Sequence, residues 1–462
     1  MKSSRPKHLH QPVDSSEGDV NLSPERQKWI NSLDSATRKL LDQDAEFFLH
    51  QSLSTPCLDV LTQARGSGFT DLNSKTFLDF HGNSAHQVGH AHPKVIEAVK
   101  AQLDTLAFCP RRFTNEPAIR LAEKLVSLAP GDLGKVLFAP GGTSAVGMAL
   151  KLARMATGRF KTISMWDSFH GASLDAISLG GEALFRNQIG PLLPGTEHVP
   201  PAEPYRCMWN PDGSCESCDL RCAKYIEYVL EREGDVAAVV AEPFRCTTIN
   251  IPPQGYWPYV RKACDKHGAL LVFDETALCL GRAGTMFAFE NFGVVPDIVT
   301  LGKGLGGGVF PLAAIVARKD LDIAPHVALG HYTHEKNPTA CAAGLAAIEV
   351  IEQEGLLARA RVLGRETLGK LAALGDKHPC VGQARGLGLA MGLEIVQERH
   401  PSEPDPARAE RILYSCLKQG LSFKVSGGSC LTLTPPLTLS GQDMDLALAI
   451  LEQAVIDTEN TA

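Results

Sequence analysis

Asp297-Ile-Val-Thr-Leu-Gly-Lys303-Gly-Leu-Gly-Gly-Gly308 carries an apolar run straight into one lysine set among glycines. Lys303 is the candidate reactive amine. Loss of solvent favours the neutral form of a lysine, and a neutral amine forms an imine with an aldehyde. The glycines on either side let another group approach the backbone closely. A capped loop with a solvated lysine would show the same local pattern, so the reading depends on what else the chain delivers to the same place.

A second apolar run, Leu271-Val-Phe-Asp-Glu-Thr276, ends on Asp274 and Glu275. In an open α/β sheet, binding groups gather outside the carboxyl ends of the strands. An aspartate there can hold a protonated pyridine nitrogen, the partner that lets a pyridoxal ring accept carbanion electrons. A metal-binding or helix-capping acidic pair is the alternative, and Lys303 weighs against it. A third run, Lys135-Val-Leu-Phe-Ala-Pro-Gly-Gly-Thr-Ser-Ala145, passes through a Gly-Gly-Thr-Ser turn into a helix-like segment. The first N–H groups of that helix have no intrahelical partner and suit a phosphate. Neither the P-loop spacing nor the GxGxxG fingerprint is present, which disfavours a nucleotide.

Strand-like and helix-like runs alternate between these sites. The strands expected are Lys135-Val-Leu-Phe138, Thr162-Ile-Ser-Met165, Val236 to Ala241, Ala269 to Phe273, Asp297 to Leu301 and Pro311 to Val316. This is the βαβ pattern of an α/β protein with a mostly parallel sheet. A long helix is expected from Ala340, a smaller α+β domain from about Gly386, and a loop at Arg399-His-Pro-Ser-Glu-Pro-Asp-Pro-Ala407. A mobile arm is expected at the N-terminus, ahead of a helix near Ser23-Pro-Glu-Arg-Gln-Lys-Trp-Ile30.

Several further pieces occur in a fixed order: Asp79-Phe-His-Gly-Asn83, Gly89-His-Ala-His-Pro93, Phe113-Thr-Asn-Glu-Pro117, Phe169-His-Gly171, Ala241-Glu-Pro243, Thr333-His-Glu-Lys-Asn-Pro338 and Thr434-Pro-Pro-Leu437. With the lysine and aspartate motifs, the chain from about Asp79 to Pro436 resembles the class III aminotransferase family of fold-type I pyridoxal-phosphate enzymes. The resemblance implies an N-terminal arm and segment over 1–79 packing with the small domain, a large cofactor-binding domain over 80–335, and a small C-terminal domain over 336–462. It implies pyridoxal 5'-phosphate as cofactor, Lys303 as the Schiff-base lysine and proton shuttle, Asp274 as the pyridinium partner, and Phe169 stacked on the ring. Gly142 and Thr143 would bind the phosphate, and His170 and Glu242 would lie with the cofactor-binding residues. Thr333 would reach the phosphate of a neighbouring subunit's cofactor, which implies a homodimer.

Departures from the family pattern bear on the substrate. Thr276 and Ala277 follow Asp274-Glu275 where the family usually has Val-Gln. Arg245 follows Ala241-Glu-Pro-Phe244 where relatives place an uncharged amide. Thr432 stands three residues before the Pro435-Pro-Leu motif, where many members carry an arginine that grips a substrate carboxylate. A hydroxyl does not replace that planar bidentate clamp. The substrate implied is a small primary amine without an α-carboxylate, with Arg245 and Arg111 or Arg112 as candidate cations for a phosphonate or phosphate. Such arginines equally serve structural ion pairs. The stretches Ala139 to Ala149 and Trp166 to Leu174 are similar to an ammonia-lyase branch acting on a hydroxylated aminoethylphosphonate. The alternative is an ω-amine transaminase with an oxo-acid acceptor.

The 462 residues are 44% hydrophobic, with mean hydropathy −0.05, ordinary for a globular enzyme. No apolar run is long enough to span a bilayer, and the N-terminal residues lack a signal-peptide core, so the expected location is cytoplasmic. A net charge of −7 offers no field for nucleic acid. The thirteen cysteines suit a reducing compartment. Cys207, Cys215, Cys218 and Cys222 include a CxxC pair, leaving open a structural zinc loop, with plain thiols preferred and no metal expected at the active site.

Overall fold

In the computed structural model, strands that are apolar along their whole length are buried on both faces, as a parallel sheet covered by helices requires. The structure describes residues 23–459 apart from 53, 56, 211–214 and 399. The residues ahead of 23, where the mobile arm was expected, lie outside the described residues. Pro24–Ser32 is a helix, capped by Ser23 accepting from the Arg26 N–H.

Three strands, β1 (Leu61–Arg65), β2 (Gly68–Asp71) and β3 (Thr76–Asp79), form an antiparallel meander. The large sheet contains β4 (Leu133–Ala139), β5 (Lys161–Met165), β6 (Thr196–Val199), β7 (Val236–Ala241), β8 (Leu270–Asp274), β9 (Ile298–Leu301) and β10 (Ala313–Arg318), in the spatial order β4-β10-β9-β8-β7-β5-β6. Strands β6, β5, β7, β8 and β9 run parallel, and β10 is antiparallel to both its neighbours. All six expected strands are therefore present, in an α/β fold, and β6 is an addition. A third sheet contains β11 (Val381–Leu387), β12 (Ala390–Gln397) and β13 (His400–Pro404); β14 (Leu421–Ser422) joins the first sheet, parallel to β3; β15 (Lys424–Ser426) and β16 (Cys430–Leu433) complete the third.

One expectation is corrected. The stretch near Arg399 was expected as a loop, but β13 pairs with the C-terminal end of β12 through Val396–Pro404 and Gln397–His400. Strand β12 lies between β11 and β16, but β16 pairs it only over Met391–Glu394, and the backbone groups of β12 beyond that stretch are left for the returning segment to satisfy. The helix Pro338–Gln353, expected to open the smaller domain, packs against helices Pro93–Thr105 and Glu116–Leu128 and against the turn that carries Lys303. One hydrophobic core continues from the large sheet into the C-terminal elements.

Every parallel strand of the large sheet ends at the same edge, and β4 points the same way because β10 is antiparallel to both it and β9. At that edge stand Gly142 after β4, Phe169 and His170 after β5, Glu242 after β7, Asp274 ending β8 and Lys303 after β9. At the opposite edge, Asp297 accepts from the Leu271 N–H and from Arg261, both at 2.7 Å, and from Arg318. This carboxylate is 3% exposed and joins β8, β9, β10 and the helix Tyr256–His267. Asp297→Ala leaves two guanidinium groups without it and should lower the chemical denaturation midpoint, by about 3 kcal/mol on the scale of a broken buried pair.

Candidate active site

Asp274 is 4% exposed and its partners come from three strand ends. The β8–β9 register places Asp274 opposite Thr300, whose hydroxyl donates to Oδ1 at 2.8 Å. The Thr276 N–H donates to the same oxygen at 3.0 Å. His170, beyond β5, places Nδ1 2.8 Å from Oδ2. Burial by itself would raise this carboxyl, but His170 and Thr276 outweigh it and hold Asp274 below the usual carboxylate range. An ionised carboxylate only accepts, so Nδ1 of His170 carries the proton. Oδ2 then keeps one acceptor direction, which matches a protonated ring nitrogen.

The neighbouring carboxyl has a different part. Glu275 is fully buried, accepts from the Ala288 and Phe289 N–H groups at 2.7 Å each, and is pushed up to about 8 by burial. It holds the turn Ala288–Phe292 against the strand end.

Lys303 is exposed in this chain, contrary to the expected loss of solvent. The strand ends at Leu301, and the lysine stands on the turn beyond it at φ +42°, a left-handed conformation that an L-residue adopts only when its surroundings impose it. A Cβ on Gly304 would lie 2.0 Å from Oε1 of buried Gln87 and would displace that side-chain amide. Across the edge, the helix Gly142–Thr157 has Gly141 as its N-cap with no side-chain cap, so its leading N–H groups face outward. A Cβ on Gly142 would meet Cγ2 of Thr276 at 2.7 Å. Bare backbone donors, an acceptor for a ring N–H and a lysine converge at one edge. These residues fit pyridoxal phosphate: the helix N-terminus for the phosphate, Asp274 for the ring nitrogen, Lys303 for the aldehyde carbon. Phe169 is half-buried, its ring 4.3 Å from that of Phe185.

Arg245 differs from the sequence reading. Arg245 donates to Glu242 Oε1 at 2.6 Å and to Glu182 Oε2 at 2.7 Å. Burial would lower its pKa, but the two carboxylates raise it further, so it stays charged and doubly paired. It is therefore not an unpaired cation awaiting an anion. Instead it positions Glu242, whose other oxygen accepts from the Cys246 N–H at 2.9 Å. Glu182 was missed, since 63 residues separate it from Arg245 and no local pattern marks it. Thr300 was missed too, although a polar residue inside an apolar strand was the available signal. A cavity of about 660 Å³ opens beside Arg245, lined by Trp166, Glu182, Arg206, Glu242 and Arg385 but not by Lys303 or Asp274.

Thr432 is buried, its hydroxyl donating to the Thr247 carbonyl and lying 2.9 Å from Ser426 Oγ. Arg111, half-buried, and Thr333, exposed, belong to two surface segments joined to each other. The Asn115 side chain donates to the Lys336 carbonyl at 3.0 Å, Thr339 to Ala107 at 3.3 Å, and the Phe108 and His334 rings lie 5.2 Å apart.

Two other clusters bear on metals. All four cysteines of the 207–222 segment are free, and burial pushes Cys222 up to about 11. Among the described residues, the one group of three side chains with ligand atoms within 4.8 Å is Asp79, His86 and His90, where Asp79 is already engaged by His90 at 2.8 Å and by the His81 and Gly82 N–H groups.

Replacing Arg245 by Gln leaves Glu182 and Glu242 facing each other without their cation. The thermal midpoint should fall, on the scale of about 3 kcal/mol for a broken buried pair, whereas a residue that only touched substrate would change KM and leave the midpoint alone.

Residues 50–455 match the family model Aminotransferase class-III. Over 453 residues the chain is 47% identical to the (R)-1-hydroxy-2-aminoethylphosphonate ammonia-lyase of Vibrio splendidus (strain 12B01), covering 95% of each chain. It is 34% identical to a leucine/methionine racemase of Thermococcus litoralis, covering 91% of this chain and 96% of the racemase. Among solved structures, an amine transaminase from an uncultivated Pseudomonas species, in its PLP-bound form, superposes with a TM-score of 0.83 at 32% identity, covering 89% of this chain and 98% of that one. Taurine:2-oxoglutarate aminotransferase from Bifidobacterium kashiwanohense, in complex with PLP and glutamate, gives 0.86 at 28% identity, covering 93% and 100%. The chain with this strand-edge site thus belongs to the class III aminotransferase family of fold-type I, pyridoxal-phosphate-dependent enzymes.

Proposed function

We propose that this protein is a pyridoxal-phosphate-dependent ammonia-lyase that acts on a hydroxylated aminoethylphosphonate and releases phosphonoacetaldehyde and ammonia. The observation that carries this reading is the 47% identity, over 95% of both chains, to the Vibrio splendidus ammonia-lyase. Thr432 supports it, because its hydroxyl is already committed to Thr247 and Ser426 and supplies no clamp for an α-carboxylate.

When bound, pyridoxal phosphate supplies the sink for the electron pair left as the C–H beside the amine breaks. Gly142, Thr143 and the helix N-terminus would bind its phosphate, and Phe169 would cover one ring face. Asp274 would hold the ring nitrogen protonated, with His170 fixing the orientation of the carboxylate. Lys303 would hold the cofactor through its aldehyde carbon and, once the substrate amine has taken its place there, its free amine would take the proton from the carbon bearing nitrogen. The adjacent hydroxyl leaves as water. Hydrolysis of the C–N linkage returns one water and releases ammonia, so no oxo acid or oxidant is consumed. Glu242, held by Arg245, would lie close to the cofactor.

The active unit in this reading is a homodimer in which Thr333 reaches the neighbouring subunit's phosphate and Arg111 shares that face. Exposed Phe108 and Phe113 beside the joined surface segments support a covered face there. No described helix is long and apolar enough to cross a membrane, and thirteen free cysteines suit a reducing cytoplasm. The ω-amine transaminase reading draws on the Pseudomonas amine transaminase of similar fold, but it needs a carboxylate site for the oxo acid.

With the hydroxylated aminoethylphosphonate and no oxo acid, the purified holoenzyme should release ammonia and aldehyde in equal amounts over many turnovers. Ammonia-free, pyruvate-dependent alanine formation from an ω-amine would favour the transaminase instead. Lys303→Ala should lose both the visible absorption of lysine-bound cofactor and turnover. If it kept both, another lysine would hold the cofactor.

A further inference from the structure

Strand β5 lies between β7 and β6 in the large sheet, and its Ser164 is 0% exposed. A hydroxyl buried there is costly unless it is hydrogen-bonded, and the sheet ladder uses backbone groups alone. Ser164 Oγ lies 3.2 Å from Ser168 Oγ and 3.4 Å from His170 Nε2. Both partners follow the strand, at the edge that carries the site.

Ser168 limits where the hydrogens of this group lie. Its hydroxyl donates to the Met165 carbonyl at 2.7 Å, and its oxygen accepts from the Gly181 N–H at 3.3 Å. A serine hydroxyl has one hydrogen, so Ser168 meets Ser164 as an acceptor, and Ser164 keeps its own hydrogen for one of its two neighbours. On the other side, the His170 side chain is 0% exposed and Nδ1 directs its proton to Asp274 Oδ2 at 2.8 Å. With Nδ1 alone protonated, Nε2 is an acceptor and Ser164 is the donor facing it. With both ring nitrogens protonated, the same oxygen accepts from Nε2 while the Ser164 hydrogen turns to Ser168. A hydroxyl serves either form, and an aliphatic side chain serves neither.

We propose that Ser164 is a positioning residue for the ring-nitrogen site, holding Nε2 of His170 so that the Nδ1 hydrogen stays on Asp274 Oδ2. Thr300 and Thr276 both donate to Oδ1. His170 is the donor on Oδ2, the oxygen whose remaining acceptor direction suits the cofactor's ring nitrogen, so a turn of the imidazole acts on that oxygen directly. Ser168, Ser164, His170 and Asp274 are all buried and form one chain of hydrogen bonds, whose members polarise and support one another. The assignment rests on the cofactor's place at Asp274 and applies to elimination and transamination alike.

The test compares Ser164→Thr with Ser164→Val, two side chains of similar volume that differ in the hydroxyl, alongside Ser164→Ala, all as holoenzymes. Two quantities are measured: solvent exchange of the His170 Nδ1 hydrogen, from the nitrogen-15 resonances of histidine-labelled protein, and kcat with the hydroxylated aminoethylphosphonate. Ser164→Ala and Ser164→Val should exchange that hydrogen faster and turn over more slowly, each by about tenfold, the scale of one hydrogen bond. KM should stay within about twofold, and the visible absorption of bound cofactor should persist. Ser164→Thr should recover both quantities, whereas a role in packing alone would move Ser164→Thr and Ser164→Val together. Should the extra methyl groups prevent folding, Ser164→Cys, which keeps a weak donor, should lie between Ser164→Ala and the unaltered enzyme. The assignment is overturned if Ser164→Thr and Ser164→Val behave alike, or if Ser164→Ala keeps both exchange and kcat within about twofold. If the unaltered enzyme releases no ammonia from this substrate, the ammonia-lyase reading falls instead, and the exchange comparison still decides the part of Ser164.

Discussion

The site depends on keeping one carboxylate charged where there is almost no solvent. Asp274 does this with donors from three places: the Thr300 hydroxyl across the β8–β9 ladder, the Thr276 N–H just beyond its own strand, and His170 after β5. The strand register is therefore a chemical constraint as well as a packing one. Sliding β8 by one residue would turn Asp274 to the opposite face and separate it from both Thr300 and His170. The apolar side chains that fix the register, such as Val272, Phe273 and Val299, are themselves fully or almost fully buried.

Charge is distributed around this anchor in two ways. Arg245 is consumed internally, between Glu182 and Glu242, and its part is to hold Glu242 in place. Lys303 stands on the exposed turn past β9. Thr432 has already spent its hydroxyl on the hairpin and the Thr247 carbonyl and supplies no clamp for an α-carboxylate.

Much of this was legible in the sequence because strand ends announce themselves. Apolar runs closing on Gly142, Asp274 and Lys303 marked one edge of one sheet, and the ordered motifs supplied the family. What was not legible arose from contacts distant in the chain. Nothing local indicates that Glu182 meets Arg245, so the arginine looked available. The opposition of Lys424 and Thr432 depends on a hairpin register. The exposure of Lys303 follows from its turn lying at an open edge, where an apolar run before it says little about solvent beyond it. The Pro338–Gln353 helix crosses into the large sheet's core because its apolar residues extend around most of its surface, as its buried Thr339, Ala340, Cys341, Ala343, Ala346 and Ala347 show.

The central claim is that buried Asp274 remains ionised and keeps the cofactor's ring nitrogen protonated. It is tested most directly by the nitrogen-15 resonance of ring-labelled pyridoxal phosphate bound to the enzyme. Because Asp274 is held below the usual carboxylate range, the protonated-pyridinium shift should be present at neutral pH and persist as the pH falls into the mildly acidic range. A resonance at the position of an unprotonated pyridine in the unaltered holoenzyme would contradict the account.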